Sequence, residues 1–306
     1  MISAIILTII SGIGFGLIGI MFRLGQNKNV IPIHISMIMG LAGAIFFGVQ
    51  VNWNQFFSLP TIVIMLPILS ALGNLVSMHF TKVSLSKGPL SPLWVAMNLT
   101  FLTVIIYSTF MFSEKILPFQ YLAIFSGIIC VSFASTLGNS KSNDKLKRSN
   151  KDITIYALAL LIVLLGNSAA FVVIKDLSTR VISLNTNTTY MMEFRNSIYF
   201  LMYISMAITC LGLALAQKAK PDSYFDLLKI GAVAAIGSIV GMLLLGFAAA
   251  LPAAIIFTIN GMVSILVGVI VSVVAFGEKR TRAWYGTVGF GILTVILINF
   301  DSLIAA

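Results

Sequence analysis

The chain has 306 residues, of which 59% are hydrophobic and 9% charged, with a formal net charge of +10. Soluble domains carry roughly 45–50% apolar and about 25% charged residues, so a single water-soluble core is excluded and a polytopic membrane protein is expected. The charge does not point to a nucleic-acid partner, because the basic residues sit in short gaps between apolar runs, where membrane topology accounts for them.

Ten apolar segments are each long enough to cross a bilayer at about 20 residues per span. They run near 2–22, 32–50, 61–81, 90–112, 118–138, 153–174, 188–213, 224–248, 252–276 and 283–300. The first lacks a basic leader and a small-residue cleavage site, so it reads as a retained helix. Breakers punctuate the gaps at 25–32, 52–60, 82–89, 114–118 and 218–221. The one long hydrophilic connector is GNSKSNDKLKRSNKD, at 138–152. It reads as a linker between halves, giving a first five-helix repeat at 1–138, a basic linker at 139–152 and a second repeat at 153–306. Cys130 and Cys210 lie inside apolar runs and suggest neither a metal site nor a disulfide framework.

The ninth segment and its exit, LPAAIIFTINGMVSILVGVIVSVVAFGEKR at 251–280, organise the rest, because the chain contains the pattern twice. A shift of 164 lays Phe112-Ser113-Glu114-Lys115 under Phe276-Gly277-Glu278-Lys279, Tyr121 under Tyr285 and Gly127-Ile128 under Gly291-Ile292. From 102 to 128 this gives nine identities in 27 positions. The first helices of the halves correspond at a shift of 152, which pairs Gly14 with Gly166 and Arg23 with Lys175. Five helices per half make the second half enter from the opposite face. The predicted fold is therefore all-α, ten transmembrane helices as two inverted five-helix repeats. Carriers of that design bind substrate near the midplane and rock around it. The connectors after odd segments, counted with Lys229 close by, hold fifteen Lys and Arg, against Lys115, Lys175 and Arg180 in the others. That bias puts the linker in the cytoplasm and both termini outside; the expected location is a bacterial cytoplasmic membrane.

The double Phe-x-Glu-Lys closure, with Gly following in segments five and ten, resembles the drug/metabolite transporter superfamily in its ten-helix EamA-type branch. Pro252, Asn260 and Glu278 are similar to that family's ninth-helix pattern, and Arg195 to an arginine often found early in the second helix of a repeat. The first half departs by placing Met39 there, and many bacterial members are drawn with termini inside. The resemblance implies a secondary carrier of small metabolites, with segments five and ten as outer scaffold.

Of the nine acidic residues, all but Glu193 read as lying in connectors or at helix ends. Glu193 and Arg195 stand inside the seventh segment, where a charge costs about 2.5–3.5 kcal/mol at mid-span on insertion scales. Two residues apart is about 200° around a helix, so they cannot pair; Glu193 shares a face with Tyr190 and Ser197, and Arg195 with Tyr199. Either the helix starts later and both charges are interfacial, or they line a route. In the second case Glu193 suits a proton or cation and Arg195 a carboxylate or phosphate. Asn98 and Asn260 occupy nearly equivalent places in segments four and nine, after Pro89/Pro92 and Pro252, where free backbone N–H groups can hold an anion. Asn74 and Asn167 are intramembrane amides that either bond between helices or face a cavity. Trp94 is one turn from Asn98 and serves as an interface anchor or a flat wall, as would Tyr190 and Phe15. Trp53 and Trp284 read as anchors. His79 is either hydrogen-bonded structure or a coupling relay. Gly12-x-x-x-Gly16, Gly19 and Gly237-x-x-x-Gly241 read as close helix packing.

The function expected is secondary active transport of a small polar metabolite, amino acid-like, amine or other zwitterion, by alternating access, with proton coupling or exchange. The alternatives are a carrier for an anionic or sugar-containing metabolite, a membrane-embedded enzyme or a channel. One intramembrane Glu and one or two histidines do not make the acid–base or metal cluster an enzyme needs. No nucleotide-binding loop appears. No cofactor, metal or nucleic acid is expected; the partners are a small-molecule substrate and the bilayer, in a monomer or homodimer.

Overall fold

A computed structural model describes residues 2–87, 96–97, 99–136, 150–184, 188–217, 221–248, 251–276 and 280–304. The described residues form eleven named helices: α1 Ile2–Asn27, α2 Pro32–Gly48, α3 Trp53–Phe57, α4 Thr61–Lys87, α5 Thr100–Phe112, α6 Pro118–Thr136, α7 Asn150–Leu184, α8 Thr188–Ala216, α9 Tyr224–Ala248, α10 Ala253–Phe276 and α11 Arg282–Ile304. No strand occurs among them. Six helices are long and apolar enough to cross a membrane: α1, α4, α7, α8, α9 and α10. Shorter apolar helices cover Pro32–Gly48, Thr100–Phe112, Pro118–Phe133 and Arg282–Ile298. This is an all-α membrane architecture, in which each helix satisfies its own backbone where no water can.

Helices overlap all ten predicted segments, the fourth only over Thr100–Phe112 because most of 90–99 lies outside the described residues. α1 and α4 run past their predicted ends at 22 and 81 to Asn27 and Lys87, and two further differences stand out. α3 is a short helix the apolar pattern does not mark. It starts at Asn52, whose side chain accepts the Gln55 N–H at 3.4 Å. α7 runs on to Leu184, ten residues beyond the predicted end at 174. The charges Lys175, Asp176 and Arg180 suggested a connector there; instead they lie within the helix, and Lys175 and Asp176 are buried. Asp176 is thus a correction to the expectation that Glu193 alone among the acids lies away from connectors and helix ends. The linker from 139 to 149 lies outside the described residues.

The chain forms two compact units, each drawing on both halves of the sequence. Unit 1 contains 1–75 and 169–250. In it α1 packs along α9, α2 along α8 and also against α9, and α3 against α8. Glycine sets the α1–α9 distance. A Cβ at Gly14 would lie 2.6 Å from the Gly237 carbonyl oxygen, and one at Gly237 would lie 2.6 Å from the Gly14 oxygen. The predicted Gly237/Gly241 pair is therefore in use, and the residue that meets it is Gly14. Ser11 Oγ crosses the same seam to donate to the Gly241 carbonyl at 2.7 Å, and the Phe15 ring packs on Gly241. Between α2 and α9 the core is Ile35, Met39, Leu227, Ile230 and Ala234.

Unit 2 contains 76–168 and 251–306. α6 packs along α11, and α10 lies against α5, α6 and α11. Residues 253–260 of α10 are all buried, so protein surrounds these two turns on every side. Ser126 Oγ donates to the Phe290 carbonyl at 3.1 Å and Cys130 Sγ to that of Thr287 at 3.2 Å. Trp284, expected as an interface anchor, donates its Nε1–H to the Val269 carbonyl at 3.2 Å. Ser77 Oγ lies 3.2 Å from the Val163 carbonyl and 3.3 Å from Asn167 Oδ1, tying α4 to α7.

The repeated Phe-x-Glu-Lys pattern has a local meaning in its first copy. α5 ends at Phe112, and Ser113 turns the chain with φ 53°, the left-handed region. The equivalent position in the second copy is Gly277, which lies outside the described residues; glycine is the residue type that can enter that region without a Cβ penalty. Glu114 then reaches the start of α10, where its Oε2 accepts the Ala253 N–H at 2.7 Å. A carboxylate here satisfies an orphan donor and opposes the helix dipole.

Candidate functional site

The site with the clearest chemistry lies in unit 1, where α8 begins, α9 ends and α2 ends. Arg195 is in the first two turns of α8. Its guanidinium carbon sits 4.0 Å from the centroid of the Phe247 ring on α9. A desolvated cation over an aromatic face gains on the order of 2 kcal/mol. That does not replace hydrogen bonds: Arg195 Nη1 is buried with no partner among the described residues. Arginine cannot shed its proton, so the nitrogen remains a charged donor facing no acceptor.

The nearby polar groups are already committed. The Tyr199 hydroxyl, one turn along α8, donates to the Met242 carbonyl at 3.0 Å. The Tyr203 hydroxyl pairs with Ser238 Oγ at 2.8 Å. Phe47 at the end of α2 stacks on Tyr203 with centroids 5.6 Å apart and meets Tyr199 edge-on at 5.1 Å. The arrangement depends on Gly246. A Cβ there would run into the Tyr199 hydroxyl and come within 3.1 Å of Arg195 Cδ. The Gly246-Phe247 pair thus does two things in sequence: the glycine admits the tyrosine and arginine, and the phenylalanine covers the guanidinium.

The other sequence candidates distribute as follows. Glu193 is half-buried in α8 and makes no ion pair among the described residues. Asn74 lies near Met206, with Nδ2 3.8 Å from its Sδ. Met206 is eleven residues from Arg195 on α8, about 16 Å along the axis, so Asn74 does not join the Arg195 group. In unit 2, Asn167 faces Ser77 as described, and Asn260 is 4% exposed inside the enclosed part of α10 with polar partners of its own. His79 is exposed, its ring 5.6 Å from that of Phe80. Trp94 and Asn98 lie outside the described residues, as does the side chain of Tyr190. The expectation of an anion on the free N–H groups of the ninth segment meets a different occupant: Glu114 already takes the Ala253 N–H.

Sequence reasoning missed three things. Phe247 and Gly246 belong to another segment from Arg195, and only the Tyr199 spacing hinted at that face. His34, in the first turn of α2, is buried with Nδ1 unpartnered. Asp176 takes both Nε (2.7 Å) and Nη2 (3.1 Å) of Arg180, a pair whose i,i+4 spacing was visible in the sequence.

No protein-family model matches the chain, and no curated protein matches it in sequence. Among the 26 chains of solved structures that match, one is described only as the crystal structure of a protein. It shares 11% identity, with a TM-score of 0.66, over 98% of this chain and 97% of its own. The chain is thus similar in fold, across nearly its whole length, to a protein whose description carries no function.

Proposed function

We propose that the chain is a secondary carrier of a small polar metabolite, built as ten spans in two inverted five-helix repeats and belonging to the EamA-type branch of the drug/metabolite transporter superfamily. The observation that carries this reading is a repeated contact. In unit 1, Ser11 and Phe15 of α1 meet Gly241 of α9. Shifts of 152 for the first helix and 164 for the third turn those positions into Val163, Asn167 and Ser77. In unit 2, Ser77 meets Val163 and Asn167. The shifts come from matches elsewhere in the sequence, so the coincidence is independent support. Gly14 and Gly237, which touch in unit 1, correspond by the same shifts to Gly166 and Gly73.

The four shorter apolar helices overlap the other four apolar segments of the sequence, which supports reading them as spans. Repeats of opposite orientation suit rocking about a shared route, and the buried intramembrane charges of unit 1 suit a route with a solute in it. On this reading the linker is cytoplasmic, the termini are outside, and the protein resides in a bacterial cytoplasmic membrane. Counterflow tests the carrier: purified protein in vesicles preloaded with unlabelled solute should take up the same labelled solute faster than empty vesicles do. Uptake indifferent to the trans solute would make the protein a channel.

A further inference from the structure

We infer that Arg195 is the binding point for a carboxylate-bearing solute, held between the guanidinium edge and the wall made by Phe247 and Tyr199. The argument starts from the unpartnered nitrogen. The Arg195 side chain is part-buried and its Nη1 is buried; the guanidinium keeps its charge and its five donors, and leaving a buried donor unmade is costly in a low dielectric. Among the described residues Nη1 has no partner and Arg195 makes no ion pair. Glu193 is about 200° away around α8. Phe247 takes one face of the guanidinium plane, which leaves the edge, where oxyanions bind through paired N–H donors. The Tyr199 hydroxyl donates to the Met242 carbonyl and the Tyr203 hydroxyl pairs with Ser238 Oγ; neither oxygen is placed to accept from Nη1, and a neutral phenol supplies no negative charge.

The number of charges selects the anion. One uncompensated cation balances one negative charge. A phosphate monoester, near two negative charges at neutral pH, would exchange an unpaired cation for an unpaired anion. A carboxylate closes the balance and matches the fork geometry. An amine is repelled. This narrows the solute from the zwitterion, amine or anion of the sequence reading to one that presents a carboxylate at this end of unit 1.

The inference rests on the carrier reading for the solute's fate, while binding is measured apart from transport. Full-length protein in neutral detergent is melted with acetate, benzoate, phosphate, 2-phenylethylamine or phosphatidylglycerol. At a hundredfold excess over Kd, benzoate or acetate should raise the melting temperature by about 5 °C or more. Phosphate and the amine should not. Arg195→Gln should abolish the carboxylate response. Arg195→Lys, which keeps the charge and loses the fork, should weaken the carboxylate about tenfold. A carboxylate response that persists in Arg195→Gln, stabilisation by the amine alone, or no response to either carboxylate overturns the site. So does Arg195-dependent stabilisation by phosphatidylglycerol that displaces benzoate, which makes the occupant a lipid headgroup. Arg195-dependent binding with no carboxylate counterflow in vesicles would sink the carrier and leave the site. Counterflow of amines alone would do the reverse.

Discussion

Replacing Gly14 by Ala tests the seam between α1 and α9. The added methyl would lie 2.6 Å from the Gly237 carbonyl oxygen, about 0.8 Å short of ordinary contact at 3.4 Å. That oxygen belongs to a helix backbone and cannot swing aside, so α1 must lift. A lift of about 0.8 Å would stretch the Ser11–Gly241 hydrogen bond from 2.7 Å to the edge of bonding range. Overpacking costs about 1–3 kcal/mol, and the interhelical bond about 0.6 kcal/mol more. Alanine returns up to about 1 kcal/mol of helix propensity. The net loss of about 1–3 kcal/mol lowers the melting temperature by roughly 2–10 °C in a chain of this size. The two free, buried cysteines make the assay specific to a unit. With Cys130→Ser, thiol-reactive dye reports the exposure of Cys210 in unit 1; with Cys210→Ser, it reports Cys130 in unit 2. Gly212→Ala, in the same unit, is the control, since a Cβ there meets nothing within 4 Å. If Gly14→Ala melts with the control when read from Cys210, the packing argument is wrong.

Three further outcomes follow from the geometry. Glu114→Ala removes the carboxylate that caps α10 at Ala253 and should cost about 0.5–2 kcal/mol, with Glu114→Gln intermediate, read from Cys130 exposure on heating. Ser113→Gly relieves a left-handed non-glycine residue and should leave the melting temperature unchanged or raise it by a few degrees; a fall would contradict the C-cap assignment. Asp176→Asn should destabilise more than Arg180→Ala in thermal melts. Asp176 is 3% exposed beside the fully buried Lys175, whereas the Arg180 side chain is 58% exposed and can turn to water; equal losses would refute the asymmetry.

The helices were readable because a bilayer-length apolar run is a strong signal, and the left-handed exit at Ser113 was foreshadowed by Gly277 in the other copy. Where the sequence misled, charge was taken for water. Lys175, Asp176 and Arg180 read as a connector, yet 173–177 are all buried and Asp176 is held by Arg180 one turn on. Hydropathy counts charges without knowing their neighbours. The Arg195 site was half legible: its cost in a span singled it out, but Gly246 and Phe247, which make room for it and cover it, come from another helix. The small-residue pattern marked the right face of α9, but on α1 it named Gly12, Gly16 and Gly19, whereas Gly14 makes the contact; which glycine meets the seam depends on how two helices cross.

The central claim is that two halves of one design face opposite ways, which requires an odd number of crossings between the linker and the end of the last helix. It is tested most directly by labelling intact cells with a membrane-impermeant maleimide, in a Cys130→Ser, Cys210→Ser background. Ala306→Cys should label in intact cells, and Asn143→Cys only after permeabilisation. The reverse pattern would keep the inverted repeat and overturn the charge-based orientation. Labelling of both positions from the same side would mean an even number of crossings, and the inverted repeat, with the carrier built on it, would fall.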